Sequence, residues 1–213
     1  MRIIRIVKKD VRNVAIHFDN DEVLFLAVDI FYKSGLKKND EISYDRFSSL
    51  IKENRLFHIK QRAFLYLGRR QHSTSELRTK LKQKGYETEL VNEVIDDLKS
   101  KNYLDDTEFA KMFVEEKLKL KLWGEQKLRS ELIKRGIKSD IISDVLRTII
   151  SDENQVNNAL ILATKKYNTL RNRNPDKYVI KKKLITFLNS RGYDYDIIKD
   201  VCDELIKEEN QFD

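Results

Sequence analysis

Apolar residues over the first forty or so positions fall in short blocks and alternations, whereas from Ser43 onward they recur at helical spacing. Ile3, Ile4, Ile6 and Val7 form a β-branched run, and Val14, Ile16 and Phe18 alternate with Ala15 and His17. After the polar Asp19-Asn20-Asp21 comes the apolar stretch Val23 to Val28. This pattern predicts two or three short antiparallel strands joined by tight turns. A short helix from about Asp29 is expected to stop at Gly35. A sheet this small is marginal alone and needs a surface to pack on. Ser43 then caps a helix carrying Phe47, Leu50 and Ile51, whose pattern runs on through Leu56, Ile59 and Ala63 to Leu67.

Beyond that point the pattern repeats. With Gly85, Gly136 and Gly192 as anchors, a leucine stands four residues earlier (Leu81, Leu132, Leu188) and another eight earlier (Leu77, Leu128, Leu184). A cation precedes each glycine (Lys84, Arg135, Arg191), and Tyr86, Ile137 and Tyr193 follow. Downstream, Val91, Ile142 and Ile198 share one offset, Val94, Val145 and Val201 the next, and Leu98, Ile149 and Leu205 a third. Leucines four apart lie on one helix face, the glycine ends the helix, and a cation in its last turn suits the dipole. Helix, glycine turn and helix therefore recur. A further apolar helix leads each unit, through Ala63-Phe64-Leu65-Leu67, Phe109-Met112-Phe113 and Ala159-Leu160-Leu162-Ala163.

The expected fold is mainly α: three tandem three-helix modules in an elongated array with a small β-rich N-terminal extension. The divisions expected are 1–42 for the β-rich extension, 43–104 for a linking helix and module 1, 105–152 for module 2 and 153–213 for module 3. Ser73-Thr74-Ser75-Glu76 fits a capping box, and Asp105-Asp106-Thr107-Glu108 fits the same logic at the next module. Asn172-Arg173-Asn174-Pro175 reads as a loop.

One proline, six glycines and 36% charged residues support helices with a heavily charged surface. Lys and Arg outnumber Asp and Glu by 42 to 35, which is compatible with nucleic acid or an acidic protein partner. A single cysteine, Cys202, excludes an internal disulfide framework. No apolar run reaches membrane-spanning length and no secretory leader is evident, so a cytoplasmic protein is expected; a monomer is the expected state.

Candidate chemistry is sparse. Asp105 and Asp106 read better as helix caps than as metal ligands, and Cys202 occupies the offset held by Ile95 and Leu146, a core position. Trp123, beside Gly124, suits packing more than base stacking. His17, His58 and His72 share no ligand spacing, and no phosphate loop, triad or zinc motif appears. No cofactor, metal or catalytic residue is expected. The basic residues offer the stronger lead, since phosphate contacts need only cations on one side of a rigid scaffold. The candidate binding set is Arg69, Arg70, Lys80 and Lys84, then Lys119, Lys121, Lys127, Arg129, Lys134 and Arg135, and finally Lys181, Lys182, Lys183 and Arg191.

The block AFLYLGRRQHSTSELRTKLKQKGYETELVNEVIDDLKSKNYLDD, Ala63 to Asp106, resembles the first module of RecX proteins. It shows the apolar helix with its basic pair, the Ser-rich cap before Glu-Leu-Arg, Leu-x-x-Lys-Gly, and the aromatic-Leu-x-Asp corner. Glu108-Phe109-Ala110, Trp123-Gly124, Lys127-Leu128-Arg129 and Lys134-Arg135-Gly136 resemble the second module, and the third unit keeps the same skeleton with a longer first loop. The β-rich leader is similar to that of members with an extended amino terminus, whereas Gln71-His72 departs from the basic or proline residue common there. The resemblance implies a non-catalytic protein lying in the groove of the RecA–single-stranded DNA filament. It would inhibit ATP hydrolysis, strand exchange and co-protease activity, with weak direct DNA binding at most. The alternative is a helical protein acting on duplex DNA itself through a helix-turn-helix such as Gln126 to Leu146.

Overall fold

The computed structural model describes residues 1–172 and 176–209, with side chains to Ile206. The expected loop around Asn172-Arg173-Asn174-Pro175 lies from residue 173 to 175 outside the described residues. The chain forms two compact units, Met1–His72 with Glu76–Leu104, and Ser73–Ser75 with the residues from Asp105 onward.

In the first unit, β1 (Ile3–Lys8), β2 (Asn13–Phe18) and β3 (Val23–Ala27) form an antiparallel sheet in the order β1-β2-β3. Period-two alternation turns Ile16, Leu24 and Leu26 to one face, where they are buried against Ile30 of α1 (Val28–Ser34) and Phe47 and Leu50 of α2 (Tyr44–Leu67). Phe18 and Phe47 meet edge to face at 5.4 Å. Helix α1 ends at Gly35, as its position in the sequence predicts. The free edge of β1 is covered by the segment after α1: Ile3 N donates to Asp40 O at 2.9 Å and Asn39 N to Ile3 O at 2.9 Å.

Ser43 caps α2 by accepting from Arg46 N at 3.1 Å. At 24 residues, α2 is long enough to serve two cores. Its first half packs on the sheet, while Ile59 and Ala63 join α3 (Thr74–Lys82) and α4 (Thr88–Ser100) around Leu77, Leu81, Val91, Ile95 and Leu98. Asn54, between the two halves, accepts from Ala27 N at 2.8 Å and donates to Phe25 O at 3.1 Å, tying the helix to the end of β3.

The second unit repeats the three-helix core twice. Helices α5 (Asp106–Lys121), α6 (Glu125–Lys134) and α7 (Ser139–Ile149) enclose Phe109, Phe113, Leu128, Leu132, Ile142 and Val145. Helices α8 (Asp152–Arg171), α9 (Lys177–Arg191) and α10 (Tyr195–Glu209) enclose Ala159, Ala163, Leu184, Leu188, Ile198 and Val201. Asp105 caps α5 through Thr107 N and Glu108 N, Ser151 caps α8, and Asp176 caps α9.

Candidate functional site

All six anchoring leucines, Leu77, Leu81, Leu128, Leu132, Leu184 and Leu188, have no solvent exposure. Gly85, Gly136 and Gly192 take φ of +83°, +71° and +85°, a conformation that a side chain disfavours. The repeat is therefore a packing device first, and the groups it leaves outside are the ones free to bind.

Those outer groups are sorted by helix. The second helices are cationic: α3 carries Arg78, Lys80 and Lys82 against Glu76, and α9 carries Lys177, Lys181, Lys182, Lys183 and Arg191 with no acid. Helix α6 follows less sharply, with Lys127, Arg129 and Lys134 against Glu125 and Glu131. The third helices are acidic: Glu89, Glu93, Asp96 and Asp97 on α4, Asp140 and Asp144 on α7, and Asp196, Asp200, Asp203 and Glu204 on α10. Each module thus presents a basic element and an acidic one. On α7 the lone Arg147 is paired with Asp144 at 2.8 Å, so this helix offers little to duplex phosphates.

The predicted cations divide into engaged and unengaged groups. Arg70 pairs with Glu76 at 2.9 Å, Arg129 with Glu125 at 2.9 Å, and Lys181 with Asp203 at 2.6 Å. Lys134 and Arg135 both meet Glu131 at 2.8 Å, and their hydrogen bonds pull that carboxyl down to about 2. Arg69, Lys84, Lys119, Lys121, Lys182 and Lys183 are exposed and form no ion pair among the described residues. Ion pairs with one or both partners partly exposed are weak enough to be exchanged for a polyanion.

The structure also gathers cations over aromatic rings. Lys80 lies 5.3 Å from the Tyr66 ring in the first unit. In the second, Arg135 lies 4.5 Å from Phe113, Lys127 5.9 Å from Trp123, and Arg191 5.1 Å from Phe187. Arg135 and Arg191 are thereby packed against their own modules, and Trp123 is half-buried against Phe113 at 6.3 Å.

Modules 2 and 3 meet backbone to backbone. Gly124 N donates to Arg191 O at 2.9 Å and Gln126 N to Gly192 O at 3.0 Å. The Tyr193 hydroxyl donates to Leu122 O at 2.7 Å, and Gln126 Nε2 to Asp194 Oδ1 at 2.5 Å. A methyl group on Gly124 would fall inside the Gly192 carbonyl and stand 2.5 Å from Tyr193 N. Ser73, which holds the repeat position of Gly124, donates its hydroxyl to Arg135 O at 2.6 Å, so both segments engage the carbonyl before an anchoring glycine. Gln126, the proposed start of a DNA-reading element, is thus committed to the joint.

Other candidate chemistry is absorbed by structure. Cys202 is buried in the third core, and burial pushes its thiol up to about 11. Asp106 accepts from Thr74 N at 2.8 Å. Among the described residues no cluster of acids, histidines and cysteine is arranged to hold a metal, and no helix is long and apolar enough to cross a membrane. Sequence reasoning passed over Arg55, His58 and Arg62, which lie along one face of α2 and line a groove of about 540 Å³ with Arg12. Their spacing of three and four residues was the available signal.

These features define a protein of tandem three-helix modules with a close glycine joint between the second and third and with cationic second helices. Models of the first, second and third RecX three-helix domains match residues 60–98, 105–146 and 152–202. The regulatory protein RecX of Clostridium botulinum strain Eklund 17B is 36% identical over 203 residues, covering 95% of this chain and 94% of that one. Its counterpart from Clostridium perfringens strain 13 is 32% identical over 207 residues, 97% of this chain and 96% of that one. A crystal structure of regulatory protein RecX superposes with a TM-score of 0.76 at 22% identity, over 95% of this chain and 98% of that one. RecX from Lactobacillus salivarius gives 0.64 at 24% identity, over 72% of this chain and 97% of that one. The two crystal structures speak to the fold alone. The chain belongs to the RecX family of regulatory proteins.

Proposed function

We propose that this chain is a non-catalytic regulator that binds the RecA–single-stranded DNA filament and restrains its ATPase, recombinase and co-protease activities. Family membership carries the reading, through three successive RecX domains and relatives named as regulatory proteins. Two physical features support it. Backbone hydrogen bonds from Gly124 and Gln126 to Arg191 and Gly192 tie modules 2 and 3 together, and a tied pair of modules suits a brake on inter-subunit motion. The cationic α3, α6 and α9 supply groups for acidic protein surface or DNA phosphates. A helix of about 14 residues is roughly 21 Å long, so consecutive modules are of a size to span neighbouring protomers.

Co-sedimentation separates this from direct action on duplex DNA. The protein should pellet with RecA filaments at concentrations where it leaves naked single-stranded and duplex DNA in the supernatant. Equal retention by naked duplex, with preference among sequences, would overturn the proposal in favour of a DNA-reading protein.

A further inference from the structure

We propose that the groove between α2 and the α3–α4 turn, flanked by Arg12 of the β1–β2 turn, binds the phosphodiester backbone of single-stranded nucleic acid. The groove belongs wholly to the first unit and shares no residue with the cations of the second helices.

Its charge is one-sided. Arg12, Arg55 and Arg62 face it together with His58, and the one acid in its lining, Glu87, is taken up by Arg55 at 2.7 Å. Arg12 and Arg62 form no ion pair among the described residues, although the Asp10 carboxylate is close enough to feel the charge of Arg12. Asp10 stands close to Arg12 in sequence, but its carboxylate is turned into the β1–β2 turn. There it accepts from Arg12 N at 2.6 Å and Asn13 N at 2.8 Å, which fixes the loop that presents the guanidinium.

The arrangement suits a chain of anions rather than a single one. From Arg55 to Arg62 the helix rises about 10 Å, so the cations line a path. Guanidinium forks match phosphate geometry. Gly85 opens the wall at the turn, since nothing lies within 4 Å of where its side chain would be, and Tyr86 next to it packs partly on the core behind the groove. A peptide would look for a cluster of apolar anchor groups, whereas Leu65, 59% exposed, is the one exposed aliphatic side chain in the lining, and Ile59 and Leu90 are 1% and 8% exposed.

The test uses the full chain and a fluorescein-labelled oligo(dT), with polarisation titrations across a salt series and no recombinase present. Failure here therefore leaves the filament reading untouched, and the reverse also holds. The double variant R12A/R62A should weaken binding about tenfold. It should also flatten the log K against log salt slope by about 1.4, at ~0.7 per single-strand phosphate contact. R12K/R62K should keep most of the slope, and K37A/K38A, which removes equal charge elsewhere in the same unit, should bind within about twofold of wild type. Circular dichroism of each variant confirms that the helices are intact. Unchanged binding by R12A/R62A would overturn the proposal, as would an equal loss in K37A/K38A. Displacement of the oligonucleotide by poly-glutamate at matched charge would overturn it in favour of an acidic peptide.

Discussion

Gly124→Ala is the sharpest perturbation of the module joint. The backbone at Gly124 has φ −74° and ψ 163°, which alanine adopts freely, so any effect comes from the added methyl alone. That methyl would collide with the Gly192 carbonyl and Tyr193 N, backbone atoms that no rotamer change can move. Relief requires the α5–α6 corner to lift off the Gly192 turn. Lifting breaks Gly124 N to Arg191 O, Gln126 N to Gly192 O and the Tyr193 hydroxyl to Leu122 O. At about 1 kcal/mol net for each bond, the variant should lose ~2–4 kcal/mol in urea unfolding. Amide exchange at residues 124 and 126 should accelerate well before the leucine core opens. Gly68→Ala is the control, since its methyl meets only Phe64 O at 3.3 Å in a right-handed helical conformation. A Gly124→Ala variant within about 0.5 kcal/mol of wild type, with unchanged exchange at the joint, would refute the reasoning.

Three further outcomes follow from the packing and electrostatics. Leu132→Ala, at a fully buried anchor position, should cost ~2–5 kcal/mol, read from the urea midpoint. Glu131 is held at about 2 by bonds from Lys134 and Arg135, so its contribution is present above the ordinary carboxylate range and lost as pH falls toward 2. Glu131→Gln should therefore be destabilised by about 1 kcal/mol at pH 7, a gap that closes near pH 2–3 in acid titrations followed by circular dichroism. His72 is buried and its imidazolium is disfavoured by burial, so the unfolded chain takes up a proton more readily near pH 6.5. Stability should fall below that pH, and urea midpoints compared at pH 7.5 and 5.5 should show a smaller drop in His72→Gln.

Much of this was legible in the chain because the repeat is a packing signal. The leucine pairs before Gly85, Gly136 and Gly192 are buried as their spacing requires, Asp105 caps α5, and Cys202 fills a core offset. What could not be read is pairing across distance. Periodicity places Gly124 within its module but does not name Gly192, 68 residues away, as its contact, and Ser73 reads as a helix cap without revealing its bond to Arg135 O. The same holds for charge. Composition counts Arg135, Arg191 and Lys181 as available cations, whereas packing directs them to Phe113, Phe187 and Asp203. Arg12 joins the α2 arginines only because the fold brings the β1–β2 turn to the same groove, a tertiary fact with no local trace.

Regulation of the RecA filament is best checked on the DNA-dependent ATPase of RecA on single-stranded DNA. Adding the full chain well below the RecA concentration should lower the hydrolysis rate progressively, with a weaker effect from Gly124→Ala. An unchanged rate up to equimolar protein would contradict the account.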